Sequence, residues 1–224
     1  MPKNKRNRVV SLSKVKKKEK SAKDKLIDSI RDACEKYSKV YLLSLENERT
    51  QFLQEVRKQL RPSMLICARN KVMQVALGTT PEKECQDGIH KLASQISGQC
   101  ALLFTEKPLP EVQSFFANYR PCDFARSGAV ATETVTLTRG VDALSKLPHS
   151  IEAHLRQCGM PTRLMEGKIH LLGDHTVCKE GKELSSDAAQ VLKLLDIKQA
   201  TFVMAVEAHW TKGVGFTGGS NMQD

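Results

Sequence analysis

The sequence predicts an α/β protein: a three-layer α/β sandwich, interrupted by a smaller inserted α/β domain and preceded by a disordered basic arm. Three observations carry this. Short apolar runs alternate with helix-period segments as far as Arg120, the texture then changes, and one long apolar run returns near the end of the 224 residues. Such alternation is the pattern of helices packed on a sheet.

The arm comes first. Residues 1–25 hold eleven Lys or Arg against Glu19 and Asp24, with few apolar side chains. A like-charge run of that kind cannot bury enough surface to offset the entropy of ordering, so residues 1–23 are expected to be disordered. From Asp24 to Lys39, Leu26, Ile27, Ile30, Ala33, Cys34 and Tyr37 recur every three or four residues, which predicts an amphipathic helix. "VYLLSL", Val40 to Leu45, is too short for a helix and apolar almost throughout, and reads as a buried, parallel strand. A helix over about Arg49 to Leu60 aligns Phe52, Leu53, Val56 and Leu60, and Pro62 stops it. The strand "SMLICA" and the helix "NKVMQVAL", closed by Gly78, follow. Thr79 or Thr80 caps a further helix, with Pro81 at its start, Glu82 and Glu84 in its first turn and Gly98 at its end. The strand "ALLFT" and a helix near Pro110 to Tyr119 complete the order of a doubly wound layer.

Beyond Arg120, "TETVTLTR" alternates as an exposed strand, Pro148 to Gln157 suits a short helix, and "GKIHLLGDHTVCKEG" reads as a strand pair. A helix from Ser186 to Leu195 buries Ala188, Val191, Leu192 and Leu195, with Ser186 or Asp187 as cap. The final strand "ATFVMAVEAHW" is apolar enough to belong to the first sheet. Residues 24–121 and 200–212 are therefore expected to form one domain, with 122–199 inserted and 213–224 a flexible tail.

Composition excludes several functions. No signal-length apolar core follows the N-terminal charges and nowhere do 18 apolar residues run together, so an intracellular protein with no membrane partner is expected. The seven cysteines are scattered singly and read as reduced thiols, while His149 with His154 and His170 with His175 miss the helical ligand spacing by one. No metal is expected. No nucleophile elbow, Walker loop or kinase set occurs, and "GVGFTG" at Gly213–Gly218 lacks the following helix that a dinucleotide site needs. A non-enzyme without cofactors is expected.

Charge is concentrated. After residue 25 the chain carries 24 basic and 23 acidic residues, yet no acid lies between Val56 and Pro81, where Arg57, Lys58, Arg61, Arg69 and Lys71 stand. The first three complement a helix C-terminus, and Asn70 is expected to cap the next helix. Arg69 and Lys71 sit at a helix N-terminus, where cations are disfavoured unless an anion joins them. A broad patch without phosphate-loop glycines, beside a basic arm containing Lys3, Lys5, Arg6 and Arg8, favours RNA over a free nucleotide, and Arg57, Lys58, Arg61, Arg69, Asn70 and Lys71 are expected to contact its phosphates.

The segments "MPKNKRNRVVSL", "RTQFLQEVRKQLR", "LICARNKVMQVALG", "LLFTEKPLPEVQSFF", "MPTRLMEGKIHLL", "VCKEGKELSSDAAQVLKLLDI" and "FVMAVEAHW" occur in order. Together they resemble the mRNA turnover protein four family, the ribosome-assembly paralogues of the eukaryotic large-subunit stalk-base protein within the ribosomal protein L ten family. Family members commonly show Gly-Lys where this chain has Ala68-Arg69, which keeps the charge and adds a methyl group. The resemblance implies an α/β rRNA-binding domain with an inserted domain, in a biogenesis factor of the large (60S) subunit. It also implies binding to large-subunit rRNA at the stalk base, in the GTPase-associated region, as a placeholder later exchanged for the mature stalk protein. Implied partners are the pre-60S particle with neighbouring ribosomal proteins and assembly factors, and the implied location is nucleolar and nuclear, with shuttling to the cytoplasm on the particle. The stalk protein's acidic-dimer helices are not expected, since the sequence stops at Asp224. Two alternatives stay open: a mature stalk-base protein retained on translating ribosomes, and a nucleotide-using enzyme. The inserted domain, with mixed charges, is expected to face protein partners.

Overall fold

The computed structural model describes residues 20–141, 144–145 and 147–218. Helix α1, Lys20–Lys36, begins four residues before the expected Asp24 and buries Ile30, Ala33 and Cys34. It leads into strand β1 (Lys39–Glu46), helix α2 (Thr50–Gln59), strand β2 (Met64–Ile66), helix α3 (Asn70–Leu77), helix α4 (His90–Gln95), strand β3 (Cys100–Thr105) and helix α5 (Leu109–Asn118). Near the end, β10 (Val203–Thr211) and β11 (Gly215–Gly218) join the same sheet, whose order is β11-β10-β1-β3-β2.

Every neighbouring pair in that sheet is antiparallel, which corrects the parallel, doubly wound expectation. The reason is physical. An unbroken apolar run reports burial on both faces, and both faces here are covered by helices, whatever the strand direction. Val40, Leu42, Ile66, Leu102 and Phe104 point to one side, where α1, α3 and α4 supply Ile30, Met73 and Leu92. Tyr41, Leu43, Leu65, Ala101 and Leu103 point to the other, against Leu53, Val56, Val112 and Phe116 of α2 and α5. Three layers result, and β2, only three residues long, is the edge strand beside β3. A register shift between Leu42 and Leu43 lets β10 bury Met204 on the α2 side and Ala208 with Trp210 on the α1 side.

The helix expected from Thr79 to Gly98 exists only as α4. Gly78 turns the chain at φ 98°, the Cys85 amide donates back to the Leu77 carbonyl at 3.1 Å, and Gly88 turns it again at φ 76°. The loop between is pinned from both sides: His90 Nδ1 lies 2.6 Å from Glu84 Oε2, and Trp210 Nε1 donates to the Asp87 carbonyl at 3.0 Å. The His90 hydrogen bond also holds the Glu84 carboxyl below its ordinary range.

Residues between α5 and β10 form small sheets and two further apolar clusters. The elements are β4 (Cys122–Asp123), β5 (Val135–Leu137), α6 (Glu152–Gln157), β6 (Thr162–Met165), β7 (Lys168–Leu171), β8 (His175–Cys178), α7 (Ser186–Leu194) and β9 (Ala200–Thr201). The strands expected in "GKIHLLGDHTVCKEG" are present, but they do not pair with each other: β7 pairs with β6, and β8 with β5. The cap of α7 is Ser185, whose hydroxyl accepts from the Ala188 amide at 3.1 Å, one residue earlier than expected. Glu152 is buried and answered by Arg156 Nη2 at 2.6 and 2.7 Å. Gly213–Gly218 is not a loose tail: it turns after β10 and returns as β11. No helix follows these glycines among the described residues.

Candidate nucleic-acid interface

The site is assembled around the edge strand. Helix α2 delivers Arg57 and Lys58 in its last turn and Arg61 follows its C-cap, Leu60, so all three complement the negative helix end. Arg57 does more, since its Nε donates to the Leu65 carbonyl of β2 at 3.2 Å. Burial pushes the nearby Cys67 thiol up, and the same guanidinium partly offsets the shift. On the opposite helical layer, Arg69 is the N-cap residue of α3 and contributes no side-chain cap. Its carbonyl instead accepts from the Val72 and Met73 amides at 2.8 and 3.1 Å.

Arg57, Lys58, Arg61, Arg69 and Lys71 are exposed. Among the described residues, no carboxylate lies in ion-pair range of any of them. The cations do not form one flat patch: Arg57, Lys58 and Arg61 belong to the α2 layer, Arg69 and Lys71 to the α3 layer, and β2 lies between. Lys3, Lys5, Arg6 and Arg8 lie outside the described residues.

Two expectations are corrected. The doubly wound layer expected from the sequence would place this junction at a common C-terminal strand edge, which an antiparallel sheet lacks. Asn70 does not cap α3: its Nδ2 donates to the Gly98 carbonyl at 2.9 Å and its Oδ1 faces the Cys100 thiol at 3.5 Å. Gln74, one turn on, donates to the Ile96 carbonyl at 3.1 Å. The start of α3 is thereby fastened to the loop before β3. No sequence pattern announces this, because both acceptors are backbone carbonyls.

A second set was also missed. Beyond β1, Asn47 Nδ2 donates to the Thr201 carbonyl at 2.9 Å, Arg49 pairs with Asp123 and donates to the Phe124 carbonyl at 3.0 Å, and Arg126 donates to the Glu48 carbonyl at 2.9 Å. They clamp the two chain crossings that bound the insertion. Among the described residues no cluster of three or more His, Cys, Asp or Glu could hold a metal.

Comparison with known proteins fits this architecture. Residues 18–120 match the family model described as ribosomal protein L10, and residues 125–197 match a second model, described as the insertion domain in the 60S ribosomal protein of that family. Ribosome assembly factor mrt4 of Neurospora crassa is 37% identical, with 96% of this chain and 92% of that protein covered. The factor of the same name from Dictyostelium discoideum is 36% identical over 95% of this chain and 94% of its own length. This chain belongs to the Mrt4 family. Its members share ancestry with large ribosomal subunit protein uL10, whose Saccharomyces cerevisiae representative is 28% identical over 84% of this chain but only 59% of that protein. Within the Mrt4 family, then, the cation-bearing β2–α3 junction falls in the part matching ribosomal protein L10 and the clamp falls at its border with the insertion.

Proposed function

We propose that this chain is a ribosome assembly factor of the large subunit, which binds large-subunit rRNA at the stalk base of the precursor particle and is later exchanged for the mature stalk protein. The observation that carries the reading is identity above 30% with Mrt4 assembly factors along nearly their whole length, against partial coverage of uL10. The exposed cations supply a physical means. Arg57, Lys58, Arg61, Arg69 and Lys71 contact phosphates, the arm of Lys3, Lys5, Arg6 and Arg8 adds further contacts and nuclear addressing, and Asn70 shapes the site from beneath. Its work is binding rather than catalysis, as is general for assembly factors and ribosomal proteins, and it takes place in the nucleolus and nucleus.

The reading has a direct test. Neutralising about five phosphates gives a log–log salt slope of roughly −4 for a stalk-base rRNA fragment. Arg69→Glu combined with Lys71→Glu weakens that binding on the order of a hundredfold, because two attractions become repulsions. Both side chains are exposed and carboxylates suit a helix N-terminus, so the melting temperature does not fall. Unchanged affinity in the double variant removes the proposed surface. In cell extracts the protein co-sediments with precursor large subunits; recovery mainly from polysomes would favour the retained stalk protein instead.

A further inference from the structure

A second stretch free of acids runs from Gly88 to Thr105. It holds α4, the turn after it and β3, and the turn is the loop to which Asn70 and Gln74 bind. The loop of the second stretch is thus fastened to the α3 side of the first by hydrogen bonds at 2.9 and 3.1 Å, while Arg57, Lys58 and Arg61 stand across β2 in the α2 layer. By composition, segments of this combined length would contain about five acids. They contain none.

The two halves differ in chemistry. The α3 side offers guanidinium and ammonium groups, whereas the loop fastened to it offers Gln95, Ser97, Gly98 and Gln99, all exposed and uncharged, with the exposed Lys91 one helical turn before them. None of the side chains of Gln95, Ser97 and Gln99 has a hydrogen-bond partner among the described residues, in contrast to Ser94, whose hydroxyl donates to the Lys91 carbonyl at 2.7 Å. Gly98 sits at φ 60° with nothing within 4 Å of the position its Cβ would take, so the loop crest is open. Charged groups position a nucleic-acid backbone without distinguishing its sugar; carboxamides and hydroxyls can both donate to and accept from a ribose 2′-hydroxyl or a base edge.

We propose that Gln95, Ser97, Gly98 and Gln99 form the ribose- and base-contacting half of the RNA site, held beside the phosphate-contacting half by Asn70 and Gln74. The proposal rests on the phosphate surface proposed above and assigns it a discriminating neighbour: the cations give affinity, the polar loop gives preference for RNA over DNA.

The test uses the full chain, a stalk-base rRNA fragment and the same fragment with 2′-deoxy sugars in its single-stranded positions. In the Gln95→Ala, Ser97→Ala, Gln99→Ala variant, affinity for RNA falls about tenfold, as expected for three modest hydrogen bonds. The salt slope is unchanged, and the preference for RNA over the deoxy fragment shrinks towards unity. A folded triple variant with the affinity and preference of the parent overturns the proposal. If Arg69→Glu, Lys71→Glu abolishes binding while the triple variant binds normally, only this inference falls; if neither variant loses affinity, the phosphate surface falls with it.

Discussion

Gly78 and Asn70 bracket α3, and each is fixed by backbone it touches. A Cβ on Gly78 would stand 2.5 Å from Glu84 Cα and from the Lys83 carbonyl, at a φ of 98° that side chains rarely adopt. Gly78→Ala therefore combines a clash with backbone strain and destabilises the fold by about 3 kcal/mol, read as a lower denaturation midpoint with unchanged slope. The sequence makes Gly78 legible as a helix end, and the cations legible by their type and by the missing acids. Asn70 is misread as a cap for an equally physical reason. A carboxamide at a helix start satisfies the capping rule, while its actual partner is a carbonyl 28 positions away that no local pattern marks.

At the scale of elements, apolar spacing identifies α1, α2, α3, α5 and α7 to within a few residues, because each buries one stripe. Strand direction is not encoded in that way. β1 reads as parallel since Val40 to Leu43 are all buried, yet both its neighbours run against it. The partners of β7 and β8 are likewise misread: β6 claims β7 across the two-residue turn Glu166–Gly167, and β5 claims β8 from distant sequence. Strand β10 yields a further expectation. His209 lies opposite Tyr41 with ring centroids 5.8 Å apart, and burial holds its pKa below the ordinary 6.5. The unfolded chain then binds the proton more readily, so stability is complete above pH 6.5 and falls as pH drops below that value towards the folded pKa. Thermal melts across this range should show the slope, and His209→Phe, which keeps a ring beside Tyr41, should flatten it; an equal slope in the variant assigns the effect to another group.

For the whole molecule, the return of the last strand is legible because so long an apolar run has no other sheet to enter. The clamp of Asn47, Arg49 and Arg126 is not, as most of its acceptors are backbone carbonyls. The crossings it grips are themselves paired: Cys122 lies opposite Thr201 and Asp123 opposite Ala200, antiparallel, and the Phe202 amide donates to the Pro121 carbonyl at 3.0 Å. Two ends in that register need only a two-residue Asn-Gly turn to close as a hairpin. Replacing residues 124–199 by such a turn should leave a miniature that keeps cooperative melting and the rRNA affinity of the parent, measured by calorimetry and filter binding. Such a result would make the insertion a detachable module, exchangeable without disturbing the five-stranded sheet that bears the cations.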